Sequence, residues 1–351
     1  MTLESQPIFV VGTPRSGTTL VARILGRHKA ILAAGETHFF EEIWANHREF
    51  GSLDNRLQLE AAVSRLMTIF DRYNQVEGQA LVDKLVRPDD LINLTLQNGG
   101  GYDGLYRAFT GTLDDTQHGR HYCDDTPKHL FYLETILNFF PDSKVIICTR
   151  DPRDFMCSYK NFWRTSRTPE RIKQLYHPIM TAMLWGRSAD VILNSPIIAQ
   201  QSNNIMMLKY ERLVTEPASY ARALCNFIDL DYEDDLLAVN SHNSSFEQRQ
   251  AGIYRGSVGK WKDCLAPEEA WWIQTINRES MHKMGYDQVH TSPSPIKLAA
   301  ILFSAPAALF RILKANRGRR GPLFPYLMRR IFPANTTGKG VESHRVNGLL
   351  E

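Results

Sequence analysis

The clearest chemical spacing in the 351-residue chain is Gly12-Thr13-Pro14-Arg15-Ser16-Gly17-Thr18-Thr19. Glycines at 12 and 17 followed by two hydroxyls make a loop whose backbone N–H groups converge on an anion, helped by the dipole of a following helix. The spacing is that of GxxxxGK[ST] with one exchange: Thr18 stands where nucleotide triphosphatases carry the lysine that reaches the β/γ-phosphates, and Thr19 stands at the Mg²⁺-ligating hydroxyl. Losing that lysine argues against triphosphate chemistry, and Arg15 supplies a cation from within the loop. A second anion site is written in Arg150-Asp151-Pro152-Arg153-Asp154-Phe155-Met156-Cys157-Ser158. An arginine at a strand end and a serine eight residues on can close on one phosphate through bidentate and hydroxyl hydrogen bonds.

These groups need rigid elements behind them. Residues 7–12 read as a short buried strand ending in glycine, and 18–27 have helical spacing through Leu20, Ile24 and Leu25. Residues 39–109 are mostly helical with polar faces, broken at Arg87-Pro88-Asp89 and at Gly99-Gly100-Gly101, and read as a helical insertion over a sheet. An amphipathic helix is expected over 129–140, then the buried strand Lys144–Thr149, then a helix over 152–163 with proline in its first turn. Ile205–Lys209 is a further strand, and 217–228 and 267–284 are helices. Strands alternating with helices imply a parallel sheet covered on both faces.

Composition bounds the rest. At 43% hydrophobic and 23% charged the chain is globular, and a net charge of +3 is too small to suggest a nucleic-acid partner. That total conceals an asymmetry: residues 288–351 carry ten Lys/Arg and only Glu342 and Glu351 as acids, so a basic tail follows a mildly acidic body. The five cysteines are scattered singly, which suggests neither a zinc site nor a disulfide framework and makes a reducing compartment the default. The polar start of the chain carries no signal-like segment, so a cytoplasmic location is expected. In the tail, the apolar run 298–310 is shorter than the about 20 residues of a membrane span, so with its flanking arginines it reads either as a segment that lies on a membrane surface rather than crossing it or as a helix hairpin packed on the body with its arginines solvated.

The loop Thr13-Pro-Arg-Ser-Gly-Thr-Thr-Leu20 resembles the 5′-phosphosulfate loop of sulfotransferases that use 3′-phosphoadenylyl sulfate (PAPS), in the form found in tyrosylprotein, carbohydrate and many bacterial members. Arg150 and Ser158 then resemble the family's 3′-phosphate pair. Lys209-Tyr210-Glu211-Arg212-Leu213-Val214 resembles its YExLV segment, whose tyrosine lies near the adenine, and Tyr254–Lys262 resembles its glycine-rich lid. By the resemblance Arg15, Ser16, Gly17, Thr18, Thr19, Arg150, Ser158, Tyr210, Ser245, Arg255 and Lys260 bind the donor. Glu36, 21 residues after Arg15, matches the catalytic glutamate of the tyrosylprotein type, and His129 is the rival base. Asp124-Asp125-Thr126-Pro127 departs from the family's Glu-Lys-Thr-Pro, with Asp125 in the place of a lysine near the sulfonate and Lys128 as a substitute cation.

The expectations are therefore an α/β fold, a P-loop-type parallel sheet flanked by helices, with a helical insertion and a C-terminal helical extension. Residues 1–287 would form the sulfotransferase domain, with 39–115 on the acceptor side, and 288–351 the basic, apolar extension. The implied reaction is sulfuryl transfer from PAPS to a hydroxyl on a small molecule, carbohydrate or lipid. It needs no metal or nucleic acid, and peripheral membrane contact would run through 296–330. The alternative is a P-loop kinase or nucleotide switch.

Overall fold

A computed structural model describes residues 6–74, 86–114, 120–166, 168–239 and 252–317. Its centre is a five-stranded, wholly parallel sheet in the order β2-β3-β1-β4-β5. The strands are β1 (Ile8–Gly12), β2 (Ile31–Leu32), β3 (His121–Asp124), β4 (Lys144–Thr149) and β5 (Ile205–Lys209). β1 and β4 are continuous runs of apolar residues because both of their faces are covered. β2 and β3 were not expected: one has two residues, and the other, His-Tyr-Cys-Asp, has no apolar alternation to announce it.

From β1 the chain goes to one side, to β2 and β3, and then crosses back to β4 on the other side. The order thus reverses around β1, and in open α/β sheets the crevice at the carboxyl ends of the strands beside such a reversal is where ligands bind. Those ends carry the glycine loop after β1, Asp124 and Asp125 at β3, and Arg150 after β4.

Helix α1 (Thr18–Leu25) follows the loop. Three helices, α2 (Arg56–Asn74), α3 (Pro88–Gln97) and α4 (Gly101–Thr112), share one core with Phe9 and Val11 of β1, where expected, and α3 and α4 start at the two punctuation points of the sequence. The helix expected over 129–140 is shorter. Residues Pro127–Tyr132 wind as a 3₁₀ helix, which buries His129, and α5 (Leu133–Phe139) begins after it. Helix α6 (Pro152–Asn161) also ends earlier than expected, in a 3₁₀ turn, and the helix expected over 267–284 is two, α9 (Pro267–Ile276) and α10 (Arg278–Lys283), parted at Asn277. Helix α7 (Pro178–Asn194) packs against α6 and α9, and a single turn, α8 (Trp261–Cys264), closes the lid segment.

Two expectations need correcting. Cys157 of α6 and Cys264 of α8 form a disulfide with Cα atoms 5.9 Å apart, although 107 residues separate them in sequence. Spacing along the chain could not reveal a pair that the fold alone creates. The tail's apolar segment is a 21-residue helix, α11 (Pro295–Ala315), longer than its apolar run because Lys297, Arg311 and Lys314 are included. By length and composition alone it could cross a membrane.

Candidate active site

The loop after β1 is built by backbone geometry that side chains seldom tolerate. Gly12 (φ 145) lies against β4 so closely that a Cβ there would sit 2.2 Å from the Cys148 carbonyl oxygen. At Gly17 (φ 99) a Cβ would meet the Tyr210 ring at 2.6 Å. Arg15 also adopts a left-handed conformation (φ 70), which turns successive N–H groups of the loop into one concavity. Ser16 is fully buried and donates its hydroxyl to the carbonyls of Thr13 (2.5 Å) and Cys148 (3.0 Å). Its N–H also goes to Thr13, so Ser16 fastens the loop to β4 instead of pointing into the concavity.

The two expected anion sites adjoin. Arg15 Nε donates to Ser158 Oγ on α6 (3.3 Å), and Arg150 Nη1 donates to the Arg15 carbonyl (3.1 Å). Arg150 is buried, lies over the Tyr210 ring at 4.3 Å, and reaches the Ser257 carbonyl with Nη2 (2.9 Å). Tyr210 in turn shares a 2.6 Å hydrogen bond with the Ser257 hydroxyl. With Arg150 on its face and Gly17 at its edge, Tyr210 braces the arginine and the loop, not an open stacking surface. Among the described residues the buried Arg150 Nε has no hydrogen-bond partner, an unmet donor beside the loop. Burial first, and then the nearby Arg150 charge, lower the Arg15 pKa to about 10, which still leaves it cationic at neutral pH.

The segment expected as the lid, Tyr254–Lys262, and the Cys264 that follows it are held by α6. Asp154 accepts the N–H groups of Gly259 (2.7 Å) and Trp261 (2.9 Å), Arg153 lies over the Trp261 ring, and Cys157 is bonded to Cys264. Arg255 is exposed two residues before Ser257, and Lys260 has its ammonium 3.3 Å from Asp263 at the surface. Ser245 lies outside the described residues.

On the other side of the loop stands a charged network that the sequence reading only half anticipated. Asp124 is fully buried and accepts from Thr37 Oγ1 (2.5 Å), Thr126 Oγ1 (2.6 Å) and Tyr106 (3.0 Å), which ties the end of β3 to the segment carrying Glu36. His38, in left-handed conformation (φ 51), sits between Glu36 (2.8 Å) and Glu41 (2.6 Å). Burial works against its charge, but Glu41 and Glu36 outweigh it, and the imidazole pKa rises to about 10. Glu36 keeps 29% of its side chain exposed and lies close enough to Arg15 and Asp125 to act on both their charges. His38 and Glu41 were missed. The signal available was a histidine with carboxylates at −2 and +3, but only the fold turns all three together.

His129 does not share that position. It is completely buried, accepts the Phe40 N–H (3.3 Å), and is walled by Glu41, Asp124 and the Phe9 and Phe40 rings. A base in that setting has no approach for an incoming hydroxyl. Lys128 lies at the surface. Asp125 is buried and bonded to Thr19, and burial, Glu36 and Asp124 push its pKa up to about 8, so at neutral pH it is largely a neutral acid able to donate.

A model of the sulfotransferase family matches residues 7–234. An uncharacterized protein of Aquifex aeolicus is 28% identical over 270 residues, which make up 74% of this chain and 31% of that protein, so the chain spans about a third of that relative's length. A putative protein-tyrosine sulfotransferase of Caenorhabditis briggsae is 22% identical over 305 residues, 82% of this chain and 91% of that one. Among solved structures, a sulfotransferase domain from the curacin biosynthetic pathway shares the fold with a TM-score of 0.52 at 19% identity, covering 81% of this chain and 99% of that one.

Proposed function

The chain belongs to the sulfotransferase family, and from that premise we propose that it transfers a sulfuryl group from PAPS to a hydroxyl acceptor and releases adenosine 3′,5′-bisphosphate. The observation that carries the reading is the joining of Arg15 and Arg150, at the ends of adjacent strands, with Ser158 of α6, the buried Arg150 Nε having no acceptor among the described residues. Two cations and a convergent loop suit a ligand with two separate phosphates better than one with a single anionic end. When bound, PAPS would supply a sulfuryl group already attached to a phosphate leaving group.

The chain's own residues then divide the work. The loop N–H groups with Thr18 and Thr19 hold the 5′-phosphosulfate, and Arg150, Ser158 and Arg255 hold the 3′-phosphate. Glu36 accepts the proton of the acceptor hydroxyl as its oxygen closes on sulfur. Protonated His38, anchored by Glu41, holds the Glu36 carboxylate at 2.8 Å and fixes its direction, which makes His38 a positioning residue. Arg15 stabilises the negative charge left on the departing phosphate oxygen, with the electron pair of the broken S–O bond. Asp125, carrying its proton, donates where relatives would place a lysine. The helices α2–α4 and the turns before them flank the Glu36 side, and we assign the acceptor to that side.

The test is incubation of the purified chain with ³⁵S-labelled PAPS and fractionated cell extract, followed by mass spectrometry of labelled products. We expect an acceptor heavier by one sulfuryl group together with stoichiometric adenosine 3′,5′-bisphosphate. Calorimetric binding of ATP·Mg in preference to the bisphosphate would overturn the proposal.

A further inference from the structure

Helix α11 has two unlike faces. Toward the body it turns Leu298, Ile301, Ala305, Ala308, Ile312 and Ala315, spaced alternately by three and four residues, so that one straight seam packs on the protein. Polar contacts fasten that seam along its length. Ser294 N–H meets Glu268 (2.9 Å), Ser304 meets His177 (3.0 Å), Arg311 reaches the Gln174 and Tyr176 carbonyls (3.0 Å each), and Asn316 meets Arg171 (2.9 Å).

The opposite face exposes Ile296 (82%), Phe303 (82%) and Phe310 (70%), with Leu302 and Leu309 also exposed. At 100° per residue these fall in one sector with Ala299 and Pro306, and the exposed polar side chains between Ile296 and Phe310, Lys297 and Ser304, lie about 80–100° outside it, toward the seam. An apolar strip with two exposed phenylalanines is rare on a protein surface that faces only water. Lys314 and Arg317 are exposed at its C-terminal end, and the sequence continues into Arg319, Arg320, Arg329 and Arg330.

We propose that this face seats on an anionic lipid bilayer, with α11 lying in the plane of the interface. The charges select the occupant. Docking a second copy of the same face in parallel register would bring two sets of cations together, whereas anionic headgroups neutralise them. The seam selects the orientation. A helix of 21 residues matches the about 30 Å hydrocarbon thickness in length, but crossing would strip away the four polar attachments and leave the seam without its partner. An in-plane helix keeps the seam on the protein and buries only the outer face.

The test uses the full chain and sedimenting vesicles of phosphatidylcholine with or without phosphatidylserine. Binding should require phosphatidylserine, weaken as salt rises, and fall by at least about tenfold in Phe303→Ser/Phe310→Ser, where two exposed rings are removed without touching the packed seam. Lys314→Glu/Arg317→Glu should abolish the preference for anionic vesicles. Spin labels on Ile296→Cys, Phe303→Cys and Phe310→Cys should report equal, shallow depths. Failure to bind phosphatidylserine vesicles would overturn the proposal, as would a label at 303 much deeper than those at 296 and 310, or a dimer in solution that Phe303→Ser/Phe310→Ser dissociates. None of these readouts depends on sulfuryl transfer, so the two proposals fail separately.

Discussion

Truncating the two buried arginines should separate binding from turnover. Arg150 carries the unmet donor, so Arg150→Ala should weaken adenosine 3′,5′-bisphosphate by about 10–100-fold in calorimetry, the loss of one or two charge-assisted hydrogen bonds. Arg15→Ala removes a cation that acts on charge developing at the leaving oxygen, so kcat should fall by about 10²–10³ with a smaller change in affinity. Glu36→Gln fills the same space without basicity. It should retain nucleotide affinity and lose about 10²–10⁴ in kcat. His129→Ala is the contrast, since a fully buried ring packed against Phe9 and Phe40 affects the melting temperature more than the turnover of the folded fraction. Asp125 gives a pH signature. Its pKa is about 8 folded against 3.8 as an ordinary aspartate, so between those values the folded chain binds more protons than the unfolded one. That stability is present below pH ~4 and lost as pH climbs through 8. Asp125→Asn should therefore raise the melting temperature over wild type most above pH 8 and flatten its decline from pH 5 to 8. A parallel curve would show that Asp125 is already ionised.

The lid is an element whose position rests on one helix. Asp154, Arg153 and Cys157 of α6 all grip it, and Ser158 of the same helix bonds Arg15, so the Arg15–Ser158 contact and its cover are fastened to one helix. Asp154→Ala should loosen the lid without displacing α6, and stopped-flow release of a fluorescent bisphosphate analogue should quicken by about tenfold or more. An unchanged release rate would mean that the lid does not gate the nucleotide. The same elements show where sequence reading succeeds. β1 and β4 were legible because strands covered on both faces need unbroken apolar residues, β5 because its run Ile205–Leu208 is apolar although Met207 is exposed at the sheet edge, and the loop because backbone convergence on an anion demands glycine at fixed positions. β2 and β3 are too short and polar to carry a pattern. His38 escaped because its role depends on a left-handed backbone and on Thr37 being held by Asp124, 87 residues away. The Cys157–Cys264 pairing escaped for the same reason, since contact at that separation is a property of topology, not of spacing.

At the scale of the molecule, α11 is both packed and exposed, and truncation should report both. Deleting residues 291–351 should leave bisphosphate affinity unchanged, because the donor-site groups among the described residues lie before α11, but it should lower the melting temperature by a few degrees as α7 and α9 lose their cover. At about 2.1 cal/mol/K per residue, a loss of about 1 kcal/mol corresponds to about 1.5–2 °C in a domain of this size. Loss of nucleotide binding would instead make the helix part of the catalytic body. The strand order has a consequence in time. Arg15, Arg150 and Ser257 meet in one cleft, yet they leave the ribosome far apart. At about 5–20 residues per second, the loop waits about 10–50 s between its own synthesis and the arrival of the lid. Throughout that interval the nascent chain has made a phosphate cradle that it cannot yet close, and cellular nucleotide cannot help it fold until translation is three-quarters done. Chaperones that shield the uncovered cleft therefore have a defined window in which to act, and synonymous codons that slow the stretch before Ser257 should lower the yield of active enzyme more than the same delay placed after it.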